Sequence, residues 1–258
     1  MPERGMLNGQ SKVASLEGLV SVIGDAIVQV NVTPSHGLGD ALFPSPSDPA
    51  VTLFVTPFER TTTFSEFAAT LDPYGKGPVS YYSSQNSNVH TECSKLLTTN
   101  LLPPTLPTFE AAFSSGPPQA VNLWIGDGRA VTSMHRDPFE NVYCVLAGVK
   151  IFVLVPPYMG GCLYEEFHKT GEFTEAGEIK EAAKESGGNN QEAASTSKVK
   201  WVAVDAESAA DREDSRYPLL HNVKPITVEV KAGECLYLPA MWYHKVKSRG
   251  VSISVNYW

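Results

Sequence analysis

Hydrophobic and polar positions alternate early in the chain. Residues Ala26 to Val32 carry β-branched side chains at every second place and stop at Thr33-Pro34, which predicts a strand with a defined end. Val51 to Val55 and Pro78 to Tyr82 read as further strands. Between them Phe64, Phe67, Ala68 and Leu71 have helical spacing, with Thr63 placed as an N-cap. The proline-rich stretch Leu101 to Pro107 reads as a loop. From Ala120 the pattern becomes a series of short apolar strands separated by Gly and Pro: Val121–Ile125, Asn141–Leu146, Val149–Val155, Ile226–Val230, Glu234–Leu238, Trp242–Val246 and Val251–Trp258. Many short strands with turn signals predict a sandwich or barrel.

Two segments depart from this rhythm. Residues 1–20 are polar and weakly periodic, so 1–25 is expected to be a partly flexible N-terminal segment ahead of a domain at 26–258. The stretch from Glu172 to Lys200 is rich in Glu, Ala, Lys, Ser, Gly and Asn and poor in large apolar residues. Such a composition buries too little surface to offset its ordering entropy, which predicts a mobile insertion with a marginal helix at Glu175–Glu185.

Composition narrows the function classes only a little. With 258 residues, the chain suits one large all-β domain. A net charge of -8 argues against a surface built for nucleic acid or anionic lipid and suits a basic peptide better. No apolar run reaches the ~18 residues of a membrane span, and Met1 to Lys12 has no secretory apolar core. Cys93, Cys144, Cys162 and Cys235 form no close pair and no zinc spacing. They are expected to be free thiols in a reducing compartment, cytosol or nucleus.

The chemistry concentrates in His135-Arg136-Asp137 and in His244. Residues i and i+2 of a strand share a face, so His135 and Asp137 can meet one ion. Two imidazoles and one carboxylate leave coordination positions open, as non-heme iron(II) requires. His-x-Asp also arises by chance, and His36, His90, His168 and His221 read as surface or loop histidines. If Ala147-Gly148 is a two-residue hairpin loop, Asn141 and Lys150 project inward from an otherwise apolar hairpin. A buried lysine asks for an anion. A longer turn would instead leave Lys150 facing solvent.

The block from Val131 to Asn141, with Gly148-Val149-Lys150, Val155-Pro156-Pro157, the run Gly233 to His244 and the ending Ser254 to Trp258, resembles the JmjC family. The likeness is strongest to the small JmjC-only lysyl hydroxylases, to which Ala120–Gly126 and Arg216-Tyr217-Pro218 add. The resemblance implies a mostly β fold, a double-stranded β-helix (jelly roll or cupin) with a few flanking helices. It implies Fe(II) on His135, Asp137 and His244, with 2-oxoglutarate and O2 as cosubstrates. Lys150 would take the distal carboxylate of 2-oxoglutarate, supported by Thr132, Asn141 and Tyr81, and Asn122 and Asn256 would line the same cavity. The implied activity is hydroxylation of a protein side chain, lysine foremost, on a protein or peptide partner with a basic side chain. No direct nucleic-acid or membrane partner is expected. The family continues into C-terminal helices that support dimerisation whereas this sequence stops at Trp258, so a monomer or weak dimer is expected. Competing readings are Nε-methyl-lysine demethylation, a non-catalytic cupin used as a binding module, and a cupin with another metal and a small-molecule substrate.

Overall fold

The computed structural model describes residues 12–107, 110–111, 116–182 and 198–258. In chain order the elements are α1 (Leu16–Ile23), β1 (Ile27–Thr33), β2 (Leu38–Gly39), β3 (Ala41–Pro44), β4 (Thr52–Thr56), β5 (Phe58–Thr63), α2 (Phe64–Ala69), β6 (Val79–Tyr82), α3 (Asn88–Thr91) and α4 (Lys95–Thr98). They continue with β7 (Val121–Gly126), β8 (Val131–Arg136), β9 (Asn141–Val155), β10 (Glu165–Phe173), β11 (Ile179–Glu181), β12 (Lys198–Val202), α5 (Ala209–Glu213), β13 (Ile226–Lys231), β14 (Cys235–Leu238) and β15 (Tyr243–Tyr257). Ten strands form one curled sheet with the path β13-β9-β15-β7-β6-β1-β5, on which β14 pairs with β9, β8 with β15 and β2 with β8. A second sheet of five runs β11-β10-β4-β3, with β12 also on β10. The mostly β, jelly-roll architecture expected from the sequence is the one observed.

Period-two alternation decides what each face holds. On β7, Val121, Leu123 and Ile125 point to a core shared with Leu19 and Ile23 of α1 and Phe64 and Phe67 of α2. The intervening Trp124 points the other way, into an inner cluster with Tyr143, Val145, Phe152 and Val246. Helices therefore cover one face of the large sheet, and the opposite face lines the barrel. Helix α2 starts where expected: the Thr63 hydroxyl accepts from the Glu66 amide at 3.2 Å, and the Glu66 carboxylate accepts from the Thr63 amide at 3.0 Å.

Four expectations change. First, Asn141 to Val155 is one strand of 15 residues and contains no hairpin. Its pairing with β15 breaks register between Ala147 and Val149, around Gly148 at φ 72°. The irregularity shifts the alternation by one residue, so Asn141, Tyr143 and Val145 share the inner face with Phe152 and Leu154. Asn141 and Lys150 are both buried, as the hairpin argument required, but a bulge brings this about.

Second, the ends of the expected insertion are ordered: Phe173 is buried, and β11 and β12 both pair with β10. Residues 175–182 form a turn and a short strand in place of the marginal helix, and residues 183–197 lie outside those described. Third, α1 buries Leu19 and Ile23 completely, so the packed core reaches back before residue 26; residues 1–11 lie outside those described. Fourth, Cys144 and Cys235 are disulfide-bonded directly across the β9–β14 ladder, with Cα atoms 4.1 Å apart. Only Cys93 and Cys162 are free, so the cysteine pattern gives no support to a reducing compartment. A sequence separation of 91 had hidden that neighbourhood.

The bend in the two long strands yields a stability test. A Cβ on Gly148 would stand 2.3 Å from the Val251 carbonyl oxygen, whereas one on Gly250, at φ 67°, would meet nothing within 4 Å. Gly250→Ala should cost the about 1–2 kcal/mol of a left-handed residue. Gly148→Ala should cost at least about 3 kcal/mol, because the backbone clash adds to that strain. Urea-unfolding midpoints of the two variants check this, and equal midpoints would show that β9 relaxes freely at Gly148.

Candidate functional site

Strand β8 lies against the start of β15 with His135 directly opposite His244. The two imidazole rings approach to 4.2 Å between centroids. Asp137, just past the end of β8, brings Oδ2 to 3.7 Å from His135 Nε2 and 3.6 Å from His244 Nε2. Ligand atoms of all three residues fall within 4.8 Å of one another. Between His135 and Asp137, Arg136 faces the other way, pairing with Glu165 at 2.8 Å and covering the Tyr243 ring.

Each histidine is oriented by the carbonyl two residues before it. His135 Nδ1 lies 2.8 Å from the Ser133 carbonyl, and His244 Nδ1 lies 3.0 Å from that of Trp242. With Nδ1 donating, both Nε2 lone pairs face Asp137. Burial and the nearby His135 push His244 down to about 4, which keeps that ring neutral. Burial opposes the charged form of His135 too, but the Asp137 carboxylate and the Ser133 carbonyl outweigh it and raise its pKa. Asp137 is held below the usual carboxylate range: burial works against its ionisation, but the two imidazoles prevail. Two neutral-capable nitrogens and one carboxylate, with fixed second nitrogens, fit a divalent first-row metal with open positions.

Beside this face lies a cavity lined among others by Tyr81, Trp124, Thr132, Asn141, Tyr143 and Asn256. Of the residues singled out by resemblance, Thr132, Asn141, Tyr81 and Asn256 meet here with His135, Asp137 and His244. Asn122 does not line the cavity. It stands behind it, donating to Asn256 Oδ1 at 3.2 Å, while Asn256 donates to Asn141 Oδ1 at 3.2 Å. This buried amide ladder fixes the orientation of the lining side chains.

Lys150 is 1% exposed and reaches the cavity through Tyr81, whose hydroxyl accepts from Nζ at 3.1 Å. Its ammonium also lies 5.0 Å from the Tyr81 ring centroid. No carboxylate among the described residues pairs with it, and burial lowers its pKa to about 7. Trp258, which lines the same cavity, has a buried Nε1 without a hydrogen-bond acceptor among the described residues. A cationic group and a free donor around one polar cavity suit an anionic ligand with further acceptor atoms.

Several site residues escaped sequence reasoning. Tyr143 lines the cavity and shares a 2.6 Å hydrogen bond with Ser254. It sits two residues from Asn141 on the same strand, so alternation could have found it. Trp201 stacks on His135 with ring centroids 5.6 Å apart and an interplanar angle of 3°. Asp40 lines an outer cleft with His135 and Asp137, and its pKa is raised, chiefly by burial and against the effect of His135. Neither had a local signal, because both arrive from distant segments.

Comparison with known proteins agrees with this geometry. A family model described as a cupin-like domain matches residues 6–258. JmjC domain-containing protein E of Dictyostelium discoideum is 33% identical over 93% of this chain and 71% of its own length. The human bifunctional peptidase and (3S)-lysyl hydroxylase JMJD7 is 33% identical over 95% of this chain and 71% of its own. The Arabidopsis thaliana lysine-specific demethylase JMJ32 is 32% identical, over 93% and 68%. The match across nearly the whole chain and these relatives show that the protein belongs to the cupin-like JmjC family of 2-oxoglutarate-dependent oxygenases.

Proposed function

We propose that this oxygenase hydroxylates a protein side chain, lysine foremost, using iron(II) held by His135, Asp137 and His244. In this reading Lys150 takes the distal carboxylate of 2-oxoglutarate, with Tyr81, Thr132 and Asn141 completing its pocket and Asn256 and Asn122 bracing it. The carrying observation is the Lys150 ammonium, 1% exposed and partnered among the described residues by a phenol alone, next to a His/Asp/His face. A buried ammonium without a counter-ion is costly, and a dicarboxylate cosubstrate supplies the missing charge. The His/Asp/His set with Lys150 argues against a non-catalytic cupin, and Lys150 with Thr132 and Asn141 favours 2-oxoglutarate over another small molecule. The lysyl hydroxylase named among the relatives supports the choice of reaction and of a protein substrate.

When bound, iron with 2-oxoglutarate and O2 supplies the oxidising power to place oxygen on a C–H bond. The chain supplies geometry and exclusion of water. The Ser133 and Trp242 carbonyls hold the imidazoles in the tautomer that presents Nε2. Trp124, Phe152 and Val246 give the cavity an apolar wall that strengthens the Lys150–carboxylate attraction.

The reading is tested by anaerobic titration with iron(II) and 2-oxoglutarate, followed by the metal-to-ligand charge-transfer band. Wild type should develop the band. His135→Ala and Asp137→Ala should lose it and all succinate production while keeping near-native melting temperatures. Wild-type-like succinate production by either variant would sink the assignment. Residue-level mass spectrometry of treated cell proteins then separates the reactions: a gain of one oxygen on lysine supports hydroxylation, and loss of a methyl group with release of formaldehyde means demethylation.

Lys150→Ala should weaken 2-oxoglutarate binding by roughly two to three and a half decades, the equivalent of the about 3–5 kcal/mol lost when one partner of a buried pair is removed. Metal binding should survive, and Lys150→Arg should recover only part of the loss. Calorimetry with manganese in place of iron measures this; a change below about threefold would remove Lys150 from the cosubstrate site.

The same instrument reads a pH dependence. The ligand-free Lys150 pKa of about 7 means that its neutral form grows above that pH. A bound carboxylate favours the charged form, so binding above pH 7 takes up a proton and affinity falls as pH rises, by up to about tenfold per unit. Below pH 7 this group contributes no slope. At pH 8, calorimetry in buffers of different ionisation enthalpy should show proton uptake in wild type that Lys150→Arg lacks; identical uptake in both would refute the coupling.

A further inference from the structure

The His/Asp/His face opens outward into a cleft lined by Asp40, Glu59, Phe54 and Trp201 together with Thr132, His135 and Asp137. The cleft shares Thr132, His135 and Asp137 with the inner cavity, so a side chain entering it arrives at the metal face. Resting on the oxygenase reading above, we propose that Asp40 is the anionic anchor for the cationic substrate side chain. Glu59 stands at the rim, and Trp201 and Phe54 form the wall along which the aliphatic stem lies.

The charge balance of the cleft supports this. Its charged groups are Asp40, Glu59, Asp137 and Arg136, and the arginine pairs with Glu165 at 2.8 Å, a carboxylate that Lys200 also meets at 3.3 Å. Asp137 is committed to the two histidines. The Glu59 carboxylate is exposed and accepts from the Gln29 side chain. Asp40 remains half-buried, with His135 and Glu59 as its electrostatic neighbours and no lysine or arginine paired to it among the described residues. A carboxylate so placed beside the reacting face attracts a cation and repels an anion. Trp201 and Phe54, with ring centroids 4.5 Å apart, offer an apolar surface of the kind that a lysine stem covers and whose π-faces favour a positive charge.

The anchor is also held rigidly. Asp40 has φ 48°, a left-handed backbone that aspartate tolerates better than most residues. Its carbonyl accepts from the Ser133 hydroxyl at 2.5 Å, and that hydroxyl oxygen accepts from Trp201 Nε1 at 3.0 Å. The Ser133 carbonyl meets His135 Nδ1 at 2.8 Å. One residue thus ties the acid, the aromatic wall and a metal-facing imidazole into a single frame. Fixing an ion-pair partner in advance lowers the entropy lost on binding.

The test uses the whole chain loaded with manganese(II) and 2-oxoglutarate, and two probes: a glycine-flanked lysine pentapeptide and its norleucine analogue, which lacks the ammonium. Paramagnetic broadening of the peptide side-chain protons reports both occupancy and nearness to the metal. Wild type should bind the lysine peptide about tenfold or more tightly over norleucine, the scale of one charge-assisted contact. Asp40→Asn keeps the shape and the tolerance for a left-handed backbone, and it should erase most of that preference. Equal broadening of the two peptides by wild type overturns the inference, as does an undiminished lysine preference in Asp40→Asn. Failure of wild type to bind 2-oxoglutarate at all is a different result: it removes the oxygenase reading, and this inference falls with it.

Discussion

Strand β15 must serve three neighbours at once, and the site depends on that sharing. Its first half pairs with β8 and with the end of β9, and its second half pairs with β7 and the beginning of β9. A straight strand of 15 residues could not follow partners on a curled sheet, so β9 and β15 both bend, at Gly148 and near Gly250. Those bends bring Asn256, on the second half of β15, and His244, on the first, to one cavity. They also set the alternation that turns Asn141 and Lys150 to the same side. Backbone curvature, fixed by two residues without side chains, precedes every side-chain contact in the site.

Within that frame the polar groups satisfy one another in a graded way. The amides of Asn122, Asn256 and Asn141 form a chain of two hydrogen bonds, and Trp124 Nε1 donates to Asn256 Oδ1 at 2.9 Å. Tyr143 is bonded to Ser254. Lys150 is the ionisable amine on that side of the barrel, and among the described residues it has only a phenol to receive its hydrogen bond. A buried network with one unbalanced member has a strong preference for the ligand that balances it. The metal face repeats the pattern, with three ligand atoms converging within 4.8 Å of one another.

Much of this was legible in the sequence wherever the determinant was local. Thr63 and Glu66 announce a helix start because a capping box is a matter of four residues. His135 and Asp137 share a face because strands alternate. The inward placement of Lys150 and Asn141 was foreseen, but through a hairpin that does not exist; a turn and a bulge at Gly148 shift the alternation equally, and local pattern cannot tell them apart. His244 was legible beside His135 and Asp137 in the residues, and the resemblance to JmjC proteins strengthened it, since no spacing links it to β8. What could not be read depends on contacts between remote segments. Cys144 and Cys235 meet because β14 returns to β9, and Trp201 and Asp40 meet through Ser133 from opposite sides of the second sheet. Helix α1 was missed because residues 1–20 look polar until Leu19 and Ile23 find a core to fill.

The arrangement around β10 bears on how such a protein could diversify. Strand β12 pairs with residues 165–169 of β10 and β11 with residues 171–173, so Glu181 and Lys198 sit opposite Gly171 and Lys169, two positions apart. The chain between them therefore leaves and rejoins the sheet at almost one point. Closing a longer loop over fixed ends costs only about 0.6 kcal/mol per doubling of its length. Trp201, locked onto β10 just beyond the return, would hold its place against His135 whatever length intervened. Both flanking strands are thus fixed to one strand, β10, and the cleft wall stays where that pairing holds it.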